Sequence, residues 1–164
     1  MSVSFDQFPG PALYLYTLND TFSPKQISLP PNGHVKIGRD GDLHSAPTKL
    51  NGLFDCLSLS RYHARVWGEA GKIFIKDMGS TNGTFVNGER LSDQGVRSEP
   101  FQLKSYDVVD FAINLPNRKG IVLYRKVSAL VICVFSEEDA RAAPRDQQYQ
   151  EVSSFRARSF TRSQ

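Results

Sequence analysis

Three short polar runs and one turn that follows them contain the residues most suited to chemistry. They are Gly38-Arg39, Ser60-Arg61-Tyr62-His63, Ser80-Thr81-Asn82-Gly83-Thr84 and Asn87-Gly88. Each run ends or joins a stretch that is typical of a strand, so its side chains are expected on turns rather than in a core. Together they offer two guanidiniums, two hydroxyls and a carboxamide, which suit a doubly charged anion such as the phosphate of a modified side chain. The set indicates a protein that binds phosphorylated residues rather than an enzyme.

The elements that must position these runs are short strands. Candidate strands cover residues 13–18, 26–29, 35–38, 63–67, 72–77, 84–86, 108–112, 121–125 and 129–135, and turn residues separate them. Many short strands at this spacing predict an all-β sandwich. Asn87-Gly88, between Phe85-Val86 and Arg90-Leu91, predicts a two-residue hairpin. Ile73 and Ile75 share one face of their strand while Lys72 and Lys76 share the other, which is the period of a half-buried strand.

Residues 136–144 give the one convincing helix signal. Ser136 can cap the helix, three acidic residues follow it, and Pro144 ends it. Residues 145–164 are rich in Gln, Ser and Arg and have no apolar period, which predicts a flexible tail. We therefore expect an N-terminal extension over 1–11, a β domain over 12–135, a short helix over 136–144 and a tail over 145–164.

Composition narrows the class of protein. The chain has 164 residues, 40% of them hydrophobic and 23% charged, as expected for one globular domain with a tail. The net charge of +3 is mild, and basic residues do not alternate with aromatic ones, so nucleic-acid binding is not indicated. Cys56 and Cys133 stand among apolar residues, and we interpret both as reduced core residues of a cytoplasmic or nuclear protein.

No segment of the sequence has the pattern that predicts a membrane anchor. The amino terminus lacks a basic region followed by an apolar run, and the longest apolar run, residues 129–135, is far shorter than the ~20 residues of a membrane helix. We expect no direct membrane contact from this part of the protein.

The motifs, in their order and spacing, resemble the forkhead-associated (FHA) domain over roughly residues 12 to 135. The resemblance implies an eleven-stranded, FHA/SMAD-like β-sandwich that binds phosphothreonine peptides at loops on one end, without catalysis and without a cofactor. Phe54-Asp55-Cys56 and the long insertion after Arg39 resemble the subfamily of sarcolemmal membrane-associated protein (SLMAP) and its fungal relatives. Members of that subfamily are tail-anchored components of striatin-interacting phosphatase and kinase (STRIPAK) complexes.

The subfamily resemblance implies partners and a location. The phosphothreonine-containing partner would be a signalling protein such as a Ste20-type (Hippo-like) kinase, and striatin-type subunits would bind other parts of the full-length protein. The full-length protein would be anchored at the cytosolic face of the nuclear envelope or endoplasmic reticulum.

The resemblance also implies roles for single residues. Arg39 is the main phosphate ligand, since its planar fork can hold two phosphate oxygens. Ser60, Arg61 and Thr81 complete the phosphate site. Asn82 binds the peptide backbone beside the phosphothreonine.

Four further residues are interpreted as architectural, with His63 supporting the binding loops from behind; they are Gly38, His63, Gly83 and Gly88. Asn82 keeps a second interpretation, since an asparagine before a glycine often adopts a left-handed backbone in a turn. The polar insertion over 40–52 is either functional or a tolerated surface insertion. From its length and charge, Thr48 and Lys49 are candidate peptide contacts.

Other functions receive less support. Ser60, His63 and Asp77 suggest a catalytic triad, but residues three apart on a continuous strand point to opposite faces, and no nucleophile elbow is present. The histidines and Cys56 lack paired zinc spacing, and Asp40-Gly41-Asp42 lacks the other ligands of a calcium loop, so no metal is expected. A phosphorylation-independent interaction scaffold remains the alternative.

Overall fold

The computed structural model describes residues 8–40 and 45–144, and most of this part of the chain lies in short strands and tight turns. In chain order the elements are β1 (Ala12–Thr17), β2 (Lys25–Ser28), β3 (Val35–Arg39), β4 (Leu53–Phe54), β5 (Ala64–Glu69), β6 (Lys72–Asp77), β7 (Thr84–Val86), β8 (Glu89–Arg90), β9 (Phe101–Leu103), β10 (Val108–Phe111), β11 (Leu115–Pro116), β12 (Val122–Tyr124), β13 (Val127–Val134) and α1 (Glu137–Ala142). Residues 1–7 and the predicted tail over 145–164 lie outside the described residues.

Two stacked sheets contain eleven of these strands. The first sheet has the order β2-β1-β13-β10-β7-β8 and the second the order β4-β3-β5-β6-β9. Neighbouring strands run antiparallel except β3 and β4, which are parallel. The strands β11 and β12 form a separate hairpin. The prediction of an eleven-stranded all-β sandwich with a short helix after it is confirmed.

The main core lies between the two sheets. On β6, Ile73 and Ile75 are fully buried, whereas Lys72 is exposed and Phe74 and Lys76 are half-buried on the opposite face. Ile37 on β3 is buried beside them. Burying one such side chain stabilises the folded state by about 1.5–3 kcal/mol. The alternation of apolar and charged residues therefore determines which face of the second sheet is exposed to solvent.

Strand β13 is buried on both faces because helix α1 covers the outer face of the first sheet. All eight residues of β13 are buried. Tyr16 packs with Ala143 and its hydroxyl donates to the carbonyl of Pro144 at 3.0 Å. As predicted, Ser136 caps α1, with its Oγ accepting the N–H of Asp139 at 3.1 Å. No helix in the described residues is long and apolar enough to cross a membrane.

The polar runs lie together at one end of the sandwich. At this end Thr84 pairs with Phe111 in the first sheet, and Ala64 pairs with Asp77 in the second. Loops 55–63 and 78–83 therefore leave the sheets side by side, next to the end of β3 at Arg39. We call these two loops, together with Gly38-Arg39, the loop rim.

Candidate phosphate-binding site

Arg39 is the last residue of β3 and supplies a half-buried guanidinium at the loop rim. Its backbone N–H donates to the carbonyl of Ser60 at 3.0 Å, which fixes the strand end beneath that loop. Its Nε is buried and has no hydrogen-bond partner among the described residues. Buried donors are nearly always paired, so an unpaired one at a cluster of loops indicates a place for an acceptor from a ligand.

Gly38 is required by the close approach of β3 to the next loop. A Cβ at this position would lie 1.9 Å from the carbonyl oxygen of Arg61 and 3.1 Å from that of Ser60. Any side chain would therefore push the Ser60–Arg61 turn away from the strand. The structure supports the interpretation of Gly38 as architectural.

Ser60 and Thr81, which are 21 residues apart, meet through a hydrogen bond between loops. The backbone N–H of Thr81 donates to Ser60 Oγ at 3.2 Å. Since a hydroxyl accepts two hydrogen bonds and donates one, Ser60 can still donate to a ligand. The backbone N–H of Ser60 donates to His63 Nδ1 at 3.1 Å. It is therefore already used inside the protein.

His63 is fully buried beneath the rim and joins its two loops. Because Nδ1 accepts from Ser60, the ring proton is on Nε2, which donates to the carbonyl of Gly83 at 2.7 Å. The ring also packs edge-on against Phe111, with centroids 5.8 Å apart. Burial lowers the pKa of His63, which favours the neutral ring that this arrangement requires.

The same geometry argues against a catalytic triad. The residues from Ser60 to His63 form a turn rather than the continuous strand that the sequence argument assumed, and the His63 ring does reach Ser60. It bonds to the backbone N–H of Ser60, however, while the hydroxyl accepts from Thr81. The imidazole is thus not placed to take a proton from Ser60.

Asn82 forms a further connection between the two loops. Its Nδ2 donates to the carbonyl of Ser58 at 2.8 Å. Asn82 does not have the left-handed backbone that the sequence offered as an alternative; Gly83 does, with φ of +90°. The side chain of Asn82 therefore acts across the rim, and its Oδ1 accepts no hydrogen bond within the described residues.

Asp77, at the end of β6, organises the loop that presents Thr81 and Asn82. This carboxylate is 1% exposed and accepts four hydrogen bonds. Oδ1 accepts the N–H groups of Gly79 and Ser80 at 2.9 and 2.8 Å. Oδ2 accepts the hydroxyls of Ser80 and Thr84 at 2.6 and 2.7 Å. The sequence pattern suggested Asp77 only as a member of a triad, and its role in the loop depends on burial that the sequence does not show.

Two arginines flank the linked loops. Arg61, which the resemblance implies as a second charge for the phosphate, is exposed directly after Ser60. Arg90, which no sequence motif indicated, donates from Nη2 to the carbonyl of Thr81 at 3.4 Å, and its guanidinium lies 5.7 Å from the Phe85 ring centroid. Arg90 therefore supports the Thr81 turn and adds positive charge beside it.

Thr48 and Lys49 are held by β2 rather than by the linked loops. The buried ammonium of Lys25 donates to the carbonyls of Thr48 and Leu53 at 2.6 and 2.8 Å. The carbonyl of Lys49 accepts the N–H of Gln26 at 2.7 Å. Burial lowers the pKa of Lys25 to about 8. The insertion is thus fastened at its end, with the side chains of Thr48 and Lys49 exposed.

Neither cysteine nor any acidic cluster in the described residues provides a metal site. Cys133 is buried in the core, and Cys56 is half-buried and packs against its edge. Both are free thiols. No group of three or more His, Cys, Asp and Glu that could hold a metal ion occurs in residues 8–40 and 45–144.

The comparison with known proteins identifies the family. Residues 35–112, which contain Arg39, the Ser60 turn and the Thr81 turn, match the FHA domain. The chain carries an FHA domain. An uncharacterised protein of Schizosaccharomyces pombe is 40% identical over 119 residues, which is 71% of this chain and 39% of that protein.

Human sarcolemmal membrane-associated protein is 40% identical over 83 residues, which is 49% of this chain and 10% of that protein. The FHA domain is therefore SLMAP-like, and the chain spans well under half of the length of either relative.

A solved structure agrees with the fold. The N-terminal FHA domain of Saccharomyces cerevisiae Rad53p, in complex with a phosphothreonine peptide, superimposes with a TM-score of 0.52 and 15% identity. The alignment covers 80% of this chain and 98% of that chain. At this identity the likeness shows a shared β-sandwich.

Proposed function

We propose that this FHA domain binds a phosphothreonine segment of a partner protein at the loop rim and catalyses no reaction. The observation that carries the proposal is the buried, unpaired Nε of Arg39 at the point where the loops are joined by hydrogen bonds. The guanidinium fork of Arg39, the hydroxyls of Ser60 and Thr81, and the exposed charge of Arg61 hold the phosphate. The phosphothreonine peptide bound to the Rad53p FHA domain supports this assignment by analogy of fold.

The dependence of peptide affinity on the phosphate follows from the number of charge-assisted hydrogen bonds that the phosphate accepts. Each such bond contributes about 1.5–3 kcal/mol net. Two of them, lost together with the phosphate, amount to roughly 3–6 kcal/mol, or about a hundredfold to ten-thousandfold in affinity. An unphosphorylated peptide should therefore bind too weakly to measure at ordinary protein concentrations.

Asn82 orients the peptide. Its Nδ2 donates to the carbonyl of Ser58, which fixes the orientation of the carboxamide, and its Oδ1 can accept a peptide N–H. Thr48 and Lys49, exposed at the end of the insertion, contact residues that flank the phosphothreonine. Replacing both with alanine should weaken peptide binding, and unchanged affinity would rule this role out.

We further propose a Ste20-type (Hippo-like) kinase as the phosphorylated partner and a striatin-type phosphatase and kinase complex as the assembly. The SLMAP-like sequence supports this placement. The full-length protein would be held at the cytosolic face of the nuclear envelope or endoplasmic reticulum by parts other than this domain, in keeping with the membrane association in the name of its human relative.

A degenerate phosphothreonine-peptide library, screened against the protein and its Arg39→Ala variant, tests the proposal. We expect selection of phosphorylated sequences by the protein and a loss of about 2–5 kcal/mol in Arg39→Ala, as for truncating one partner of a close charge pair. Arg141→Ala is the matched control, because Arg141 is exposed on α1, over the outer face of the first sheet. Normal binding by Arg39→Ala would refute the proposal, and retention of the cellular partner by this variant would favour the phosphorylation-independent scaffold.

A further inference from the structure

The outer face of the second sheet carries three cations in one cross-strand row. Lys36 on β3 pairs directly with Arg65 on β5, and Arg65 pairs directly with Lys76 on β6. Neighbouring strands lie about 4.8 Å apart, so the row spans roughly 10 Å. Like charges placed directly opposite each other destabilise a sheet. This arrangement therefore costs stability in the isolated domain.

No carboxylate in the described residues neutralises this row. The two ion pairs in residues 8–40 and 45–144 are Lys126–Asp110 and Arg141–Glu137, and neither includes a member of the row. Arg65 and Lys36 instead lie over aromatic rings: the Arg65 guanidinium is 5.9 Å from the Trp67 ring centroid, and the Lys36 ammonium is 5.7 Å from that of Tyr62. The rings support the side-chain stems and leave the positive groups at the surface.

Beside the row lies an aromatic groove. Trp67 stacks on Phe74 with ring centroids 5.8 Å apart, and both side chains are half-buried. A groove of about 390 Å³ runs along Trp67 and Arg65 to His34. At its far end the carboxylate of Glu69 accepts the Trp67 indole N–H at 3.3 Å. The row of three cations is thus short, and the Trp67 and Phe74 rings lie along one side of it.

The two outer faces of the sandwich differ. Helix α1 covers the outer face of the first sheet, whereas no described element packs over Trp67, Phe74 and the basic row. The carboxy-terminal residues 145–164 contain four arginines and two acidic residues, so their charge does not complement this face. Its charge also opposes self-association through two copies of the same row.

We propose that the basic row Lys36–Arg65–Lys76 and the adjoining aromatic groove bind a short acidic segment of a partner protein, independently of phosphothreonine. Alternate side chains of an extended peptide are about 6.6 Å apart, so two acidic residues two positions apart fit within the row. A nucleic acid would need a longer basic track along its backbone, and Glu69 places a negative charge in the adjoining groove. The row contains none of the proposed phosphate ligands, although its Lys36 lies over Tyr62 of the loop rim, so a partner can engage both sites.

The single tryptophan of the chain, Trp67, reports on this surface. A ten-residue peptide of alternating glutamate and serine serves as the probe, and the same peptide with glutamine in place of glutamate is its control. We expect the glutamate peptide alone to shift the Trp67 indole signal and the amide signals of β3, β5 and β6 in heteronuclear spectra. Arg39→Ala should respond like the unchanged protein, since the row Lys36–Arg65–Lys76 does not include Arg39.

A double variant, Lys36→Gln with Lys76→Gln, should bind the glutamate peptide roughly two- to thirtyfold more weakly, as expected for losing two exposed ion pairs. Lys104→Gln with Lys119→Gln has the same net charge, both residues are exposed elsewhere, and it should bind normally. The proposal is overturned if the Trp67 signal does not move, if both double variants lose binding equally, or if a single-stranded oligonucleotide or vesicles containing phosphatidylserine bind this face more tightly at equal ionic strength.

Discussion

The buried carboxylate of Asp77 should contribute more to the stability of this domain than any other single acidic group at its loops. It accepts two backbone N–H groups and two hydroxyls at 2.6–2.9 Å. In Asp77→Asn the shape is kept, but one oxygen becomes an amide that cannot accept from the hydroxyls of Ser80 and Thr84. The hydrogen bonds from the N–H groups of Gly79 and Ser80 remain, but their acceptor is no longer charged. The contribution of each to stability falls by about 1 kcal/mol.

Adding the disturbed hydroxyl contacts, we expect Asp77→Asn to lose about 3 kcal/mol of unfolding free energy, or roughly 6–12 °C in Tm for a domain of this size. Urea denaturation and thermal melting measure both values. Amide hydrogen exchange should also quicken first at Gly79, Ser80 and Gly83, because their N–H groups depend on Asp77 directly or through Ser80 Oγ.

Asp110→Asn is the matched control. Asp110 lies on β10, its Oδ2 pairs with Lys126 at 3.1 Å, and its Oδ1 has no hydrogen-bond partner among the described residues. Because Asp110→Asn disturbs one partly exposed ion pair, it should lose less than about 1 kcal/mol of unfolding free energy. Equal destabilisation by the two variants, or a loss under 1 kcal/mol for Asp77→Asn, would refute the reasoning from hydrogen bonds.

Two further predictions concern the strand that leads into Arg39 and the lysine beneath the insertion. Gly38→Ala should lose roughly 1–3 kcal/mol of stability, as for an overpacked site, and should weaken phosphopeptide binding, because the added Cβ would meet the Arg61 carbonyl; denaturation and titration test this, and wild-type values for both would contradict it. Lys25 has a folded pKa of about 8, below its ordinary value of 10.5, so between these pH values the unfolded chain binds more protons and the unfolding free energy should rise with pH. Lys25→Met should remove this rise, and a rise of the same size in the variant would show another group to be responsible.

Sequence patterns predicted the sandwich well where strands alternate and less well where they do not. The predicted strand over 72–77 has its apolar residues on the inner face, and the structure shows the same range for β6. Strands β4 and β9 were missed because they contain two and three residues and their pairing depends on distant partners. The apolar run over 121–125 was predicted as a strand without regard to burial, yet residues 121–124 are exposed in the β11–β12 hairpin.

For the site, the sequence identified the groups at the surface, and the family resemblance added Gly38 and His63 beneath them, but Asp77 and Arg90 were missed as groups that hold the loops. Arg39, Ser60, Thr81 and Asn82 stood out because polar residues on turns are visible in a sequence. The roles of Asp77 and Arg90 could not be inferred, since one depends on burial and the other on the folding of β8 beside the Thr81 turn. Whether the predicted residues hold a phosphate stays a prediction.

Substitutions at the loop rim should have two kinds of effect, depending on whether the residue lies beneath the loops or faces the ligand. His63 and Asp77 lie beneath the loops and are buried with their hydrogen bonds made inside the protein. The loops are therefore ordered during folding, and a ligand does not have to fix them again, which otherwise costs about 0.5–1.5 kcal/mol for each immobilised side chain. Arg39, by contrast, has a buried donor with no partner among the described residues, so truncating it should reduce binding while leaving the melting temperature nearly unchanged. Changes beneath the rim should lower stability and binding together, because they release the same loops that the ligand needs in place.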